Sequence, residues 1–233
     1  MNPEVFAEWW RRQGHKVMSY QEFFIRQLKP EDIDRAIDIH VAAFPDFFLT
    51  FLGQDFLKLL YRFYMAGDEE IALAGIYRGK LAGTLLGTTR PRQFYRRLAN
   101  KYFWQFALAS LRPFIKQPTI LPRLLRALTY RGDYPPLDEG GALLASICVD
   151  ISLQNRGFGK YLVASYEEEI FRRGCKFGYL ITDRLNNDKT LNFYKKIGWK
   201  ETHAFTTPQG RHMVVLCKFK EANQINYSYW EIK

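Results

Sequence analysis

The 233-residue chain carries 34 Lys and Arg against 24 Asp and Glu, a net charge of +10, and 47% of its residues are hydrophobic. This apolar content is enough for one sizeable core, and no segment reaches the roughly 18 apolar residues that a membrane-spanning helix requires. The three cysteines are widely spaced and form no CxxC pair, so the sequence predicts neither a metal site nor a disulfide framework. A reducing, cytoplasmic setting is expected.

The excess positive charge lies in one segment, residues 90–132. It holds ten basic residues and no Asp or Glu. Taking these ten from the 34 Lys and Arg leaves 24, which equals the number of acids. The net charge is therefore a local property, of the kind that serves an anionic partner.

In the first half of the chain, the pattern predicts a strand, two helices and a hairpin. Residues 23–28 favour a strand, and Pro30 with the acids after it begins an amphipathic helix. Residues 54–67 place an apolar stripe along a second helix. The segments "EIALAGIY" and "LAGTLLGTT" flank Gly79 and predict a β-hairpin.

Three segments are predicted to lie outside this regular pattern. Residues 1–22 form an N-terminal extension, and residues 221–233 form a mostly polar C-terminal tail. Residues 90–141 form a basic, aromatic and helical insertion between the third and fourth strands, interrupted by Pro113, Pro118 and Pro122. The whole of 1–233 is expected to be a single domain.

The second half alternates strands and helices. "ALLASICVD" predicts a strand, a glycine turn follows, and a helix runs to about Arg173. Strand "FGYLITD", helix "NDKTLNFYKKIG" and two final strands, "WKETHAF" and "RHMVVLCKFK", complete the chain. Alternation of this kind, combined with hairpins, predicts an α/β fold with a mixed sheet and helices on both faces.

The glycine turn "QNRGFGK" at residues 154–160 stands between a predicted strand and a predicted helix, where backbone N–H groups bind anions. A Walker A loop is excluded, because Gln154 and Tyr161 stand where Gly and Ser or Thr are required. A dinucleotide-binding fingerprint lacks its third glycine, since that position is Leu162. A turn that merely starts the helix is the simplest alternative.

Two motifs together resemble the GCN5-related N-acetyltransferases (the GNAT superfamily). The first is Val-x-x-x-x-Gln-x-x-Gly-x-Gly, filled by Val149, Gln154, Gly157 and Gly159. The second is Asn-x-x-Ala-x-x-Phe-Tyr-x-x-x-Gly-Phe, matched by the stretch 187–199 with Thr190 and Trp199 as departures. The resemblance implies the family's fold, with about seven strands, and acetyl-CoA as the acyl donor.

The resemblance also implies which residues bind acetyl-CoA. The backbone of Ile147 and Val149 would bond the pantetheine arm and polarise the thioester carbonyl, and the glycine turn would hold the pyrophosphate. Arg156 and Lys160 would add charge, unless they are ordinary surface cations. The implied coenzyme-binding residues are Ile147, Cys148, Val149, Gln154, Asn155, Arg156, Gly157, Phe158, Gly159, Lys160 and Asn187.

For catalysis, the resemblance implies direct attack of an amine on the thioester. Tyr194 is the candidate general acid that protonates the leaving thiolate, with packing of its ring as the alternative. Asn187 is expected to bond the pantetheine, cap its helix, or do both. Asp183 is the first candidate for the base that deprotonates the amine, ahead of His40 and Asp46.

The basic insertion is interpreted as an acceptor-binding element. Its cations and aromatic rings suit an anionic small-molecule amine, and residues 40–53 resemble a subgroup that acts on amino-sugar nucleotides or lipid-linked sugars. Peripheral membrane contact through 90–132, a solvated basic face, and a ribosomal or tRNA-associated amine are the alternatives, with nucleic acid not expected as the partner. A catalytically silent coenzyme-binding protein also fits, and the sequence leaves the oligomeric state open, a dimer included.

Overall fold

The computed structural model describes residues 23–45, 48–94, 97–98 and 140–220. Within these residues, seven strands form one mixed sheet in the order β1-β2-β3-β4-β5-β7-β6. The strands are β1 Phe23–Gln27, β2 Glu70–Tyr77, β3 Lys80–Thr88, β4 Gly141–Val149, β5 Phe177–Asp183, β6 Lys200–Thr206 and β7 His212–Phe219. The predicted N-terminal extension, C-terminal tail, most of the insertion, and Asp46 lie outside the described residues.

The predicted α/β fold with helices on both sheet faces is confirmed. The helices are α1 Ile33–Ala43, α2 Phe48–Phe51, α3 Gln54–Ala66, α4 Phe158–Arg172 and α5 Asp188–Lys196. A 3-10 turn, Pro30–Asp32, leads into α1, so the helical segment begins at Pro30 as predicted. Helices α1 and α3 cover one face of the sheet, whereas α4 and α5 cover the other.

Side-chain alternation along the strands separates the two cores. Leu86 and Cys148 pack with α1 and α3, while their neighbours Leu85 and Val149 pack with α4 and α5. A strand period of two residues requires this division, because successive side chains point to opposite faces. Each sheet face is thus apolar at the positions that a helix covers.

The hairpin of β2 and β3 was also predicted correctly. Tyr77 pairs with Lys80, so Arg78 and Gly79 form a two-residue turn. Both residues have positive φ, 48° and 75°, which is the backbone of a type I′ hairpin turn. Gly79 adopts this conformation without the strain that a side chain imposes.

The start of the insertion packs against the core. Residues 91–94 are helical, and Phe94 and Leu98 are buried among the side chains of α1 and α3. Arg97 donates a hydrogen bond of 2.6 Å to Glu70, whose side chain is 2% exposed. The interpretation in which insertion aromatics face the core therefore holds for Phe94, and the described part of residues 90–141 is anchored rather than loose.

Four buried polar residues form a continuous hydrogen-bonded chain, here called the buried polar chain. His40 Nδ1 lies 3.3 Å from Tyr61 Oη, and Tyr61 Oη lies 3.2 Å from Thr84 Oγ1. Thr84 Oγ1 lies 3.1 Å from Cys148 Sγ. All four residues are less than 4% exposed. The buried polar chain therefore connects α1, α3, β3 and β4 through side-chain hydrogen bonds.

Two buried tyrosines provide a matched pair for a stability test. Tyr166 Oη is buried without a hydrogen-bond partner among the described residues, whereas Tyr61 Oη has two partners. We expect Tyr166→Phe to leave the free energy of unfolding unchanged or raise it by up to about 1 kcal/mol, and Tyr61→Phe to lower it by about 1–2 kcal/mol. Denaturant unfolding of both variants measures this, and a large loss of stability for Tyr166→Phe would contradict it.

His40 makes stability depend on pH. Burial lowers the pKa of His40 from its ordinary 6.5 to about 4. Between these values the unfolded chain binds a proton that the native protein does not, so the His40 contribution is complete above about pH 6.5 and is lost as pH falls towards 4. The loss amounts to about 3 kcal/mol at most.

The measurement compares unfolding free energies at pH 7 and pH 4.5 for the wild type and His40→Gln. The substitution removes the titrating imidazole. The free energy of unfolding of His40→Gln should therefore change less with pH than that of the wild type. His212→Gln, at an exposed histidine, is the control for the substitution itself. Equal slopes for all three proteins would show that His40 is not held neutral.

Candidate active site

Strands β4 and β5 form an opening in the middle of the sheet. Their parallel pairing comprises only Gly141↔Phe177, Ala142↔Gly178 and Leu143↔Tyr179. Ala145 has no partner in the register with β3, where the pairing shifts between Leu86 and Gly87. Beyond this bulge β4 continues to Val149 beside β3 alone. A gap therefore separates the carboxyl-terminal halves of β4 and β5.

The backbone of β4 at Ile147 and Val149 points into this gap. The Asp150 N–H donates to Ala82 O over 2.8 Å, which aims the backbone of Asp150 at β3. Because backbone groups alternate sides along a strand, Cys148 also points at β3, and Ile147 and Val149 point the other way. No strand of the described chain pairs with that edge, and Gln154 Nε2 donates to Val149 O over 3.3 Å.

The glycine turn leads from the end of β4 into α4. Asn155 and Gly157 have φ of 61° and 91°, and Gly157 is the N-cap of the helix. An added Cβ at Gly157 would meet no protein atom within 4 Å. The turn thus has an open outer side at a helix N-terminus, where unpaired N–H groups and the helix dipole favour a phosphate.

Side chains on either side of the turn hold it in place. Phe158 is 1% exposed, and its ring centroid lies 4.5 Å from Phe23 and 5.2 Å from Tyr77. Hence the ring of Phe158 anchors the turn, and only the backbone of Phe158 is available to a coenzyme. Gln154, Asn155 and Arg156 are exposed, while Gly159 and Lys160 are partly buried.

Asp150 fixes the approach to the turn. Its carboxylate accepts hydrogen bonds from the Ser152 hydroxyl at 2.6 Å and the Ser152 N–H at 2.9 Å, and it pairs with Arg35 of α1. The bonds from Ser152 lower the pKa of Asp150, and the Arg35 charge adds to this. This ion pair could not be predicted from sequence patterns, because Arg35 lies 115 residues from Asp150.

Tyr194 lies on α5 in the core shared with α4. It is 3% exposed, and its ring centroid is 5.0 Å from Phe193 and 5.3 Å from Trp199. Burial raises the pKa of its phenol, so the hydroxyl stays protonated over the whole neutral range. The ring of Tyr194 therefore has the packing role that was the alternative prediction. Its hydroxyl remains protonated, as a proton donor must be.

Asn187 and Asp183 lie where β5 passes into α5. Asn187 occupies the N-cap position, but its side chain makes no capping hydrogen bond. Instead Asn187 Nδ2 donates to Thr182 Oγ1 at 2.8 Å and to Asp183 O at 2.9 Å, which ties the end of β5 to α5. The side-chain cap, one of the two roles expected for Asn187, is therefore absent, since its side chain accepts no hydrogen bond from the first turn of α5.

Asp183, the first candidate base, is paired with a cation. Arg211 donates to both carboxylate oxygens of Asp183, at 3.1 and 2.7 Å, on the exposed side of the β6–β7 hairpin. The second candidate, His40, is buried in the buried polar chain and stays neutral at pH 7. In the described part of the chain, no three His, Cys, Asp or Glu side chains are placed to hold a metal ion.

No helix among the described residues is both long and apolar enough to cross a membrane. All three cysteines, Cys148, Cys175 and Cys217, are buried and free. Burial raises the pKa of the Cys148 thiol, which faces away from the gap towards α1 and α3. The side chain of Cys148 is therefore separate from the unpaired edge of β4, to which the backbones of Ile147 and Val149 contribute.

Comparison with solved structures places this architecture among acetyltransferases. A putative GNAT acetyltransferase from Desulfovibrio desulfuricans is 15% identical with a TM-score of 0.57, over 84% of this chain and 98% of that chain. An N-acetyltransferase from Staphylococcus aureus Mu50 is 14% identical with a TM-score of 0.56, over the same shares of both chains. An aminoglycoside 6'-N-acetyltransferase complexed with coenzyme A is 16% identical with a TM-score of 0.53, over 84% and 96%.

At these identities the likeness concerns the fold. Among curated protein sequences, none matches this chain significantly. A family model, described as the acetyltransferase (GNAT) family, matches residues 33–199, which is well over half of the chain. This range includes the opening between β4 and β5, the glycine turn and Tyr194. The chain belongs to the acetyltransferase (GNAT) family.

Proposed function

We propose that this acetyltransferase moves the acetyl group of acetyl-CoA to an amine, and that the gap between β4 and β5 is where the thioester binds. The observation that carries the proposal is the unpaired edge of β4 at Ile147 and Val149, which runs directly into the glycine turn. One stretch of backbone thus offers donors and acceptors to an amide-containing arm and then to a diphosphate. When bound, acetyl-CoA supplies the activated acetyl group.

The chain's own groups divide the binding between them. The Val149 N–H, aimed into the gap, donates to the thioester oxygen, and Ile147 bonds the arm. At the turn, the diphosphate is assigned to the N–H groups between Gln154 and Lys160, because those two residues already donate to Ile151 O and Gly157 O. Arg156 is exposed there, so its guanidinium contributes long-range attraction more than a fixed contact.

Tyr194 is proposed as the proton donor to the departing thiolate. Its buried phenol stays protonated, which a donor requires, but the raised pKa also makes it a weaker acid. Transfer is therefore favourable only to a thiolate that is itself desolvated, since desolvation raises the proton affinity of both groups. This condition ties the role of Tyr194 to a closed, water-poor gap.

Asp183 is proposed as the base that accepts the amine proton. It lies at the end of β5, beside the gap, and its present partner is the cationic Arg211. An acceptor that arrives as an ammonium ion carries the same charge as this guanidinium and can exchange for it. His40 is less suited, because its lowered pKa of about 4 leaves it little basicity.

An anionic small-molecule amine, such as an amino sugar or sugar nucleotide, is the proposed acceptor. The support is the basic segment 90–132, although part of its charge is already used. Arg90 pairs with Glu69 at 3.0 Å, and Arg97 pairs with Glu70 at 2.6 Å, both acids at the start of β2. The proposal therefore depends on cations further along the segment, beyond Arg97. The similar fold of a solved aminoglycoside 6'-N-acetyltransferase, an enzyme named for an amine on a sugar, supports this choice.

Gly157→Val should weaken coenzyme binding, and the chain offers a matched control. Gly157 and Gly174 have φ of 91° and 82°, at opposite ends of α4, and an added Cβ meets nothing within 4 Å at either position. Valine imposes the same backbone strain at both, but only at Gly157 does it approach the proposed phosphate. We expect at least a tenfold rise in the Kd for coenzyme A in Gly157→Val and less than a twofold change in Gly174→Val.

Calorimetric titration of both folded variants with coenzyme A measures these affinities. Thermal unfolding of the two variants without coenzyme should show similar losses of stability, because the strain is similar. If Gly157→Val binds coenzyme A as tightly as Gly174→Val, the turn has another role.

Tyr194→Phe separates proton donation from packing. The substitution keeps the ring that contacts Phe193 and Trp199 and removes the hydroxyl. We expect kcat to fall by roughly a hundredfold, the lower range for loss of a general acid, with coenzyme affinity unchanged. Mass-spectrometric turnover with a library of amino sugars and other amines measures the change. Unchanged kcat would leave Tyr194 with a packing role alone.

A further inference from the structure

The buried polar chain reaches the strand that forms the proposed thioester site. Its last member, Cys148, stands between Ile147 and Val149, whose backbone points into the gap. Thr84 lies opposite Cys148 in the pairing of β3 with β4. The two strands are thus joined at this rung by a side-chain contact as well as by their backbone hydrogen bonds.

The location of this rung is mechanically important. Between Ala145 and Val149, β4 has β3 on one side and the gap on the other. An edge strand that lacks one neighbour is held by fewer hydrogen bonds, and a bulge weakens the pairing further. The position of the Val149 N–H then depends on what holds β4 from the side of β3 and from α1 and α3.

The buried polar chain supplies that hold. Tyr61 and Thr84 pass hydrogen bonds from α3 to β3, and His40 links the chain to α1. All members are buried, so breaking one link leaves a polar atom without a partner, at a cost of about 1–3 kcal/mol. His40 Nε2 is buried with no hydrogen-bond partner among the described residues, which shows that the chain ends at this imidazole.

We propose that the buried polar chain of His40, Tyr61, Thr84 and Cys148 positions the thioester-binding edge of β4. The members are positioning residues, since they act through the backbone of Ile147 and Val149 and do not face the gap themselves. An apolar contact at the same places would fill the space equally well. Hydrogen bonds are directional, so they restrict the position of Cys148 relative to Thr84. Dispersion contacts have no such directionality.

This proposal rests on the proposed function, because it assigns the thioester to the edge of β4. Its first test, however, measures the hold on β4 without requiring acetyl transfer. Thr84→Val keeps the shape of the side chain and removes the hydroxyl, whereas Thr84→Ser keeps the hydroxyl. Thr88→Val is the control, because Thr88 is a fully buried threonine of the same strand that pairs with Leu143, where β4 and β5 are still joined.

Hydrogen exchange at the amides of Cys148 and Asp150, which point at β3, reports how firmly β4 is held to β3. We expect these amides to exchange at least tenfold faster in Thr84→Val, and within twofold of the wild-type rate in Thr84→Ser and Thr88→Val. Equal exchange in Thr84→Val and the wild type would overturn the proposal, whether or not the protein transfers acetyl groups.

Kinetics then test the consequence for catalysis. With an active amine, kcat of Thr84→Val should fall by roughly tenfold or more, since small displacements of an oriented donor are costly. The Kd for coenzyme A should stay within twofold, because the glycine turn is unchanged, and Thr84→Ser should restore kcat. If Thr84→Val and Thr88→Val lower kcat equally, the threonine hydroxyl acts only on stability and the proposal is wrong. Absence of coenzyme binding in the wild type would instead contradict the proposed function.

Discussion

The early end of the pairing between β4 and β5 is the constraint on which the rest of the site depends. Three parallel pairs hold the two strands together, and beyond Leu143 the sheet is open at its centre. The opening leaves the backbone at Ile147 and Val149 without a strand partner in the described part of the chain. These groups and the open glycine turn are therefore continuous along one stretch of backbone, which is the arrangement that the proposed coenzyme site uses.

The contacts that stabilise this opening lie outside it, on the far side of each flanking strand, and do not cross the gap. On the β3 side, the Ala82–Asp150 backbone bond, the Arg35–Asp150 ion pair and the Thr84–Cys148 contact all attach the free half of β4. On the β5 side, Asn187 ties Thr182 and Asp183 to α5. Both walls of the gap are thus braced by groups that leave its interior free, which is what a preorganised site requires.

Much of this could be predicted from the sequence, because the decisive signals are local. The bounds of β5, the turn at Gly79 and the glycine turn before α4 follow from patterns within a few residues of each other. The bracing contacts could not be predicted in this way. Thr84 and Cys148 are 64 residues apart, and Arg35 and Asp150 are 115 residues apart, so only the folded topology brings them together. The pairing of Asp183 with Arg211 escaped prediction for the same reason.

The charge of the basic segment also depends on contacts that only the folded structure shows. The sequence assigns the whole net charge to residues 90–132, yet Arg90 and Arg97 meet acids at the start of β2. Glu70 is buried, so the pairing with Arg97 offsets a charge that would be costly to leave alone in the core. The first cations of the insertion therefore attach it to the sheet, and a count of basic residues overstates the charge available to an acceptor. In the proposed recognition of an anionic acceptor, the charge would therefore come from cations beyond this anchor.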